Sequence, residues 1–342
     1  MELSFTRTHS AIDLIIAELL RVAENVNHPK LIREMIITAL KAGQETDYLT
    51  DLKMLNITMK EMRYTNKVFA PYRRKKKVTI FGSARTGPDD PVYLKCVNFS
   101  RMLSEHGYMI ITGGGPGIME AGNAGAGSVN SFAVNIRLPF EQAPNKVMLR
   151  NSRLVTYKYF FNRKVAFVKE SAAIAVFPGG FGTLDEAMEV FTLIQTGKTS
   201  PRPLVLIDDE SGYWEIWLKF IKDAMLGRGY ISAEDFSIFT ITRDIEEAIR
   251  VIEEFYHNYH SMRFVDGRLV IRLNKELTDA NIEQLAQEFP GVIPSGGKIG
   301  RTPPLAEEAD EPDLLQLPRL ILDFDHQHYG LLIAFIGRIN NF

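Results

Sequence analysis

The residues best suited to chemistry lie in the segment 177–186, which reads FPGGFGTLDE. A short apolar stretch, residues 172–176, precedes it and is typical of a buried strand, and a helical pattern of apolar residues follows it. A glycine turn between a strand and a helix directs backbone N–H groups and the helix N-terminus at an anion, most often a phosphate. The segment therefore predicts a phosphate-binding turn with one carboxylate, that of Glu186, close to it.

Thr183 and Glu186 also have a purely structural interpretation. A threonine followed three residues later by a glutamate, ahead of an apolar helix, is a capping box in which each side chain satisfies a backbone N–H group. In that interpretation Thr183 caps the helix and Glu186 lies in its first turn. The segment alone leaves the structural and the chemical interpretation open.

Two other predicted strands also end in glycine turns, at residues 82–83 and 113–117. In an open α/β sheet ligands bind at the carboxyl ends of the strands, so three such turns predict one crevice rich in N–H donors. Neither the dinucleotide-binding fingerprint nor the P-loop pattern occurs in the chain. Hydride transfer and ATP hydrolysis therefore lose support, whereas binding of a nucleotide phosphate is favoured.

The combination of two motifs resembles the LOG (LONELY GUY) family. The first motif is GGGPGIMEA at residues 113–121, and the second is PGGFGTLDE at residues 178–186, which meets the family pattern Pro-Gly-Gly-x-Gly-Thr-x-x-Glu in full. Arg163 and Lys164 match the Arg-Lys pair that the family carries on the preceding helix. The resemblance covers about residues 78–256 and neither flank.

Members of that family are cytokinin riboside 5′-monophosphate phosphoribohydrolases and related nucleoside-monophosphate nucleosidases. The resemblance implies hydrolysis of the N-glycosidic bond of AMP, GMP or a cytokinin riboside monophosphate, which yields free base and ribose 5-phosphate. It assigns catalysis to Arg163 and Glu186, the carboxylate facing an oxocarbenium-like sugar and the guanidinium acting as a fixed cation. Contacts to the substrate and its phosphate are then expected from Ser83, Gly114, Gly115, Glu120, Lys164, Gly179, Gly180, Gly182 and Thr183.

Two of these residues have structural alternatives. Arg163 is also compatible with a surface arginine on a helix whose Tyr159, Phe160 and Val165 belong to the core. Glu120 stands in the first turn of its helix, where a carboxylate favours the helix dipole without any further role.

A second class of function remains open, namely a nucleotide- or molybdenum-cofactor-binding carrier that uses the same crevice without turnover. Similar folds carry that cofactor, and recovery of an intact ligand would distinguish a carrier from an enzyme. Lysine decarboxylation is rejected, because no lysine stands in a context suited to pyridoxal phosphate.

The elements that must position these residues alternate between strand and helix over residues 76–258. Strands separated by helices need crossover connections, so this region predicts a Rossmann-like, doubly wound, mainly parallel α/β sheet. Residues 1–75 predict an N-terminal helical module. Residues 259–342 predict a small α+β appendage with a hairpin turning at the Asp-Gly pair 266–267 and an acidic surface loop at residues 303–312.

The bulk composition is that of an ordinary globular protein, with 45% hydrophobic and 24% charged residues among 342. The formal net charge of −2 gives no overall attraction to nucleic acid or anionic lipid. The basic run RRKKK at residues 73–77 is interpreted as a solvated linker that flanks a strand, with a functional anion contact as the less favoured alternative. The single cysteine, Cys96, excludes an intrachain disulfide and a cysteine-based metal cluster.

The histidines show no metal-ligand spacing with carboxylates, so neither a metal nor a cofactor is expected. Without a signal-peptide pattern or a run of 18 apolar residues, the chain is expected to be cytoplasmic and not bound to a membrane. The family resemblance also implies a homodimer or a higher homo-oligomer.

Overall fold

The computed structural model describes residues 10–137, 143–294 and 296–342. The first nine residues of the predicted N-terminal module therefore lie outside the described residues. Contacts divide the chain into two compact units, Met1–Tyr64 and Thr65–Phe342. The finer domain boundaries at residues 75 and 258 stay a prediction.

The first unit is helical, as predicted. It contains α1 (Ser10–Val22), α2 (Pro29–Glu45) and the beginning of α3 (Leu49–Phe69), which ends in the second unit. Helix α2 begins with a proline, whose missing N–H would have had no acceptor in the first turn. An ion pair of 2.7 Å between Arg33 Nη2 and Asp13 Oδ1 joins α1 to α2.

A seven-stranded sheet in the order β4-β3-β2-β1-β5-β6-β7 forms the centre of the second unit. All six pairs of neighbouring strands are parallel, which confirms the predicted Rossmann-like class. The strand order reverses direction between β1 and β5, and a crevice at such a switch point is where α/β sheets bind ligands. The strands are β1 (Lys77–Phe81), β2 (Met109–Thr112), β3 (Ser131–Ile136), β4 (Leu154–Tyr157), β5 (Ala173–Val176), β6 (Leu204–Ile207) and β7 (Thr240–Thr242).

Helices cover both faces of this sheet, because successive residues of its strands point to opposite sides. In β1, Val78 and Ile80 pack with one group of helices, whereas Phe81 packs with the other. The first group is α4 (Pro91–Glu105), α5 (Ile118–Ala126) and α9 (Ile245–Glu254). The second group is α6 (Phe160–Glu170), α7 (Phe181–Gln195) and α8 (Tyr213–Phe220).

A four-stranded antiparallel sheet in the order β10-β11-β9-β8 forms the predicted C-terminal α+β part. Asp266 and Gly267 join its first two strands with positive φ angles of 48° and 77°, which confirms the predicted hairpin turn. The elements are β8 (Tyr259–Val265), β9 (Arg268–Leu273), α10 (Asp279–Glu288), β10 (Ile299–Arg301), β11 (Arg319–Leu322) and α11 (Tyr329–Asn340).

The acidic segment 303–312 is not simply a surface loop, so that prediction is wrong at Glu308. The Glu308 side chain is fully buried, and its carboxylate accepts hydrogen bonds from Nε of Arg272 at 2.8 Å and of Arg319 at 2.9 Å. The two arginines stand on β9 and β11, which are adjacent in the sheet. Two inward-facing cations therefore draw this carboxylate into the interior, because a buried charge needs an opposite one.

The basic run 73–77 is exposed and precedes a strand, as predicted, except at its last residue. Lys77 is the first residue of β1 and is only 4% exposed, so the run continues directly into the sheet. Within the described ranges, no helix combines the length and the apolar character needed to cross a lipid bilayer.

Candidate active site

The three glycine turns predicted from the sequence meet at one cavity of about 780 Å³. It lies at the carboxyl ends of β1, β2 and β5, and its volume falls within the roughly 300–1,000 Å³ of small-molecule sites. Five of the predicted contact residues and both predicted catalytic residues line it: Ser83, Gly179, Gly180, Gly182, Thr183, Arg163 and Glu186.

The turn after β5 is held in place from several sides. A Cβ on Gly179 would lie 2.2 Å from Thr183 Oγ1 and 2.9 Å from the backbone nitrogen of Ser83, so only glycine fits. The carbonyl of Gly179 accepts a hydrogen bond of 2.6 Å from the Tyr213 hydroxyl. The carbonyl of Pro178 accepts one of 3.1 Å from the Ser83 N–H. The turn is therefore fixed before any ligand arrives.

Helix α7 starts inside this turn, at Phe181, with Gly180 as its N-cap. The first N–H groups of an α-helix have no intrahelical acceptor, so those of Phe181 and Gly182 are the donors an anion would meet. The early start makes Thr183 the third helical residue and Glu186 the sixth. The capping-box interpretation is therefore wrong, since no side chain caps α7 and Glu186 stands in the second turn.

Glu186 is a buried carboxylate held between two cations. It is 6% exposed, with Oε1 3.5 Å from Arg163 Nη2 and Oε2 3.3 Å from Lys164 Nζ. Burial raises the pKa of the Glu186 carboxyl above its ordinary value, and the charges of Lys164 and Arg163 offset part of that rise. The site thus presents a carboxylate that is partly desolvated yet electrostatically supported.

Arg163 is turned into the cavity, and the surface-arginine alternative is wrong. Its side chain is 16% exposed, whereas Phe160 and Val165 on the same helix are 51% and 49% exposed. The guanidinium carbon lies 4.8 Å from the centroid of the Phe160 ring and 5.7 Å from that of Phe167. Two aromatic rings and one carboxylate therefore fix the orientation of this cation.

Lys164 does not line the cavity, although the sequence predicts a substrate contact there. Its ammonium lies 2.8 Å from an oxygen of Asp185 and 3.1 Å from one of Glu189, besides its contact with Glu186. Because α6 and α7 pack side by side, one lysine bridges three carboxylates of α7. This geometry favours a role in positioning Glu186 rather than in holding a phosphate.

The lining of the cavity does not include Gly114, Gly115 or Glu120, although the sequence predicts contacts there. From the second glycine turn, Gly113 lines the cavity instead. The Gly114 carbonyl accepts a hydrogen bond of 2.8 Å from the backbone N–H of Asn145. The Gly115 carbonyl accepts one of 3.2 Å from the side-chain amide of the same residue. The two glycines therefore shape the second turn instead of lining the cavity. Glu120 Oε1 pairs with Lys146 Nζ at 3.3 Å.

Sequence reasoning missed Arg85. This exposed arginine lines the cavity two residues after the Gly82-Ser83 turn, and among the described residues no carboxylate lies within ion-pair distance of it. A cation directly after a glycine turn at a strand end is a signal in the sequence that would have identified it. Its charge is open to a ligand, whereas that of Arg163 is engaged by Glu186.

Comparisons with known proteins find relatives of the central α/β region. Residues 116–252 match the family described as "Possible lysine decarboxylase". A probable cytokinin riboside 5′-monophosphate phosphoribohydrolase of Oryza sativa subsp. japonica is 28% identical over 187 residues, which cover 53% of this chain and 73% of the relative. A cytokinin riboside 5′-monophosphate phosphoribohydrolase of Arabidopsis thaliana is 23% identical over 185 residues, covering 53% of this chain and 84% of the relative.

Among solved structures, the molybdenum cofactor binding protein of Rippkaea orientalis superposes with a TM-score of 0.39 at 18% identity, over 53% of this chain and 96% of that one. The family match contains Arg163, Lys164 and the whole 178–186 motif. The curated relatives extend the likeness over about half of the chain. The central α/β region is therefore similar to the family that residues 116–252 match and to plant cytokinin riboside 5′-monophosphate phosphoribohydrolases, in agreement with the resemblance to the LOG family.

Proposed function

We propose that this chain hydrolyses the N-glycosidic bond of nucleoside 5′-monophosphates, releasing free base and ribose 5-phosphate. The observation that carries the proposal is that the Glu186 carboxylate and the N-terminus of α7 line one cavity of about 780 Å³. The names of the two plant relatives support a riboside 5′-monophosphate as the class of substrate. AMP, GMP and cytokinin riboside monophosphates are all candidates.

The 5′-phosphate is proposed to bind at the start of α7. There the N–H groups of Phe181 and Gly182, the hydroxyls of Ser83 and Thr183 and the guanidinium of Arg85 supply donors. Glu186 follows Phe181 by five residues, which advance about 7.5 Å along a helix. A ribose anchored by its phosphate would thus place its anomeric carbon near the carboxylate.

Glu186 and Arg163 are proposed to act on the sugar. As the bond between C1′ and the base nitrogen breaks, its electron pair leaves with the base and the sugar becomes positively charged. The carboxylate stabilises this charge in a partly desolvated site, and a water molecule then forms the new bond to C1′ while a proton goes to the base. Arg163 holds Oε1 of Glu186 in place, and Lys164 holds Oε2.

The test measures free base and ribose 5-phosphate released from AMP, GMP and isopentenyladenosine monophosphate by the full chain. Glu186→Gln keeps the shape of the side chain but removes its charge, so kcat is expected to fall by about 10²-fold or more. Glu210→Gln changes an exposed glutamate away from the cavity and should behave as wild type.

Two results would overturn the proposal. One is the absence of base release from any of the three nucleotides. The other is a rate that Glu186→Gln leaves unchanged. A nucleotide that binds tightly in calorimetry and is recovered intact would assign the crevice to a carrier instead.

The chain is also proposed to form a homodimer and to reside in the cytoplasm. Support for the dimer comes from apolar side chains exposed on α6 and at the start of α7, among them Phe161 at 47% and Phe181 at 93%. An assembly that covers them would enclose the cavity further and exclude water from the reaction.

A further inference from the structure

A second cavity, of about 360 Å³, opens at the other edge of the parallel sheet. It lies at the amino ends of β1 and β5, so the length of a strand separates it from the candidate active site. From Lys77 to Phe81 the four steps of β1 amount to about 13 Å. Every lining residue belongs to the unit Thr65–Phe342.

The lining of this basic cavity is strongly positive. Six of its residues are cations, and Glu170 is its one carboxylate. Glu170 is engaged by Lys169, whose Nζ lies 2.6 Å from Oε1. The six cations are Arg73, Arg74, Lys75, Lys76, Lys77 and Lys169.

Most of these cations have no carboxylate partner, although Lys77 Nζ donates a hydrogen bond of 3.1 Å to the Lys75 carbonyl and Lys76 Nζ lies 4.1 Å from the centroid of the Tyr256 ring. Arg74 pairs with Asp313 at 3.1 Å, but the two side chains are 92% and 77% exposed, and such surface pairs contribute little. Within the described part of the chain, no carboxylate lies within ion-pair distance of the other four cations, namely Arg73, Lys75, Lys76 and Lys77. The cavity therefore holds several like charges close together, and the carboxylates of Glu170 and Glu253 offset them only in part.

The presence of these cations is not explained by a need to cap the C-terminus of the adjacent helix α6. Carbonyls in the last turn of α6 already accept hydrogen bonds from other groups. The Phe167 carbonyl accepts one of 2.6 Å from the Ser171 hydroxyl, and the Val168 carbonyl accepts from the Arg202 guanidinium and the Ser171 N–H. Burial lowers the pKa of Lys77 and of Lys76, so keeping both charged costs free energy. An anion in the cavity would recover that cost.

We propose that this basic cavity binds a small phosphate-bearing anion with at least two phosphoryl charges. Arginine forks bind phosphate oxygens in pairs, and the lysine ammonium groups add point charges around them. The concave shape and small volume favour a compact ligand over a nucleic-acid backbone, which needs a long basic surface. The proposal does not depend on the reaction proposed for the first cavity.

Calorimetric titration of the full chain with pyrophosphate tests the proposal. Arg73→Gln/Lys75→Gln removes two exposed cations of the cavity and is expected to weaken binding at least tenfold. Arg228→Gln/Lys275→Gln removes two exposed cations elsewhere and should bind as wild type. A binding component that all three proteins share belongs to the phosphate-binding turn of the first cavity.

Equal pyrophosphate affinity in all three proteins would overturn the proposal, and so would equal weakening in both double variants. Tighter binding of a single-stranded oligonucleotide than of pyrophosphate, lost with Arg73→Gln/Lys75→Gln, would assign the surface to nucleic acid instead. Release of base from AMP is measured on the same proteins. Because the two cavities lie at opposite sheet edges, the failure of either proposal can be told from the failure of the other.

Discussion

At the scale of single residues, the ionisation of Glu186 governs the proposed chemistry. Burial raises the pKa of this carboxyl, while Lys164 and Arg163 work against the rise. Only the ionised form stabilises a positively charged sugar. Activity is therefore expected to fall as the pH decreases through the folded-state pKa of Glu186, which lies above the ordinary value for glutamate.

Lys164→Met should move this acid limb to higher pH. The substitution removes the ammonium 3.3 Å from Oε2, so burial of the carboxylate is opposed by Arg163 alone. The pH dependence of kcat measures the shift, with Lys198→Met as a control at an exposed lysine. An acid limb that stays in place would contradict the positioning role of Lys164.

Arg85→Gln should raise KM for AMP while kcat changes much less. Arg85 lines the cavity without a carboxylate partner among the described residues, and losing a hydrogen bond to a charged group costs about 1.5–3 kcal/mol, or roughly 10–100-fold. Steady-state kinetics of Arg85→Gln beside Arg228→Gln measures the effect. Adenosine lacks the phosphate, so any turnover of adenosine should be insensitive to the substitution. An unchanged KM for AMP would remove Arg85 from the phosphate site.

At the scale of elements, the junction of β5 and α7 forms the phosphate-binding turn. Gly179→Ala places a methyl group 2.2 Å from Thr183 Oγ1 and 2.9 Å from the Ser83 nitrogen, so the turn must move. The affinity for AMP is expected to fall at least tenfold while the fold persists. Calorimetry and circular dichroism measure the two properties.

Gly87→Ala is the matched control, because a Cβ at this exposed glycine meets nothing within 4 Å. Equal AMP affinity in Gly179→Ala and Gly87→Ala would mean that the turn does not hold the phosphate.

At the scale of the whole molecule, a buried ionic cluster stabilises the C-terminal sheet. Burial raises the pKa of Glu308, but the Leu305 N–H, Arg272 and Arg319 together outweigh it and hold the pKa below its ordinary value. The stability that this carboxylate contributes is therefore present at neutral pH and is lost as the pH falls through the lowered pKa.

Glu308→Gln should reduce the free energy of unfolding by roughly 3–5 kcal/mol, because it leaves the buried Arg319 without a carboxylate and Arg272 with that of Glu311 alone. Urea unfolding measures the loss. Glu307→Gln, at the exposed neighbour, should change little. Similar stability of the two variants would show that the cluster contributes no net stability.

Light scattering should give a mass twice the 38.7 kDa of one chain. Phe161 and Val165 are exposed four residues apart on α6, hence on one face, and Phe161→Glu/Val165→Glu is expected to yield a monomer. Leu149→Glu changes an equally exposed apolar residue elsewhere and should leave the dimer intact. A monomeric wild-type chain would refute the proposed dimer.

The sequence by itself determined the parallel sheet and the three glycine turns, and its resemblance to a known family drew attention to Arg163 and Glu186. These features follow from local patterns: alternating strands and helices require crossovers, and a glycine turn shows in a few adjacent residues. The tertiary structure decided where individual side chains point. It brought Lys164 to Glu186, took Gly114 and Gly115 away from the cavity, and buried Glu308 between two arginines.

It also gathered the basic run 73–77 and Lys169 around one cavity. Such contacts join residues that are tens of positions apart in the chain, and only the packing of helices and strands brings them within a few ångströms.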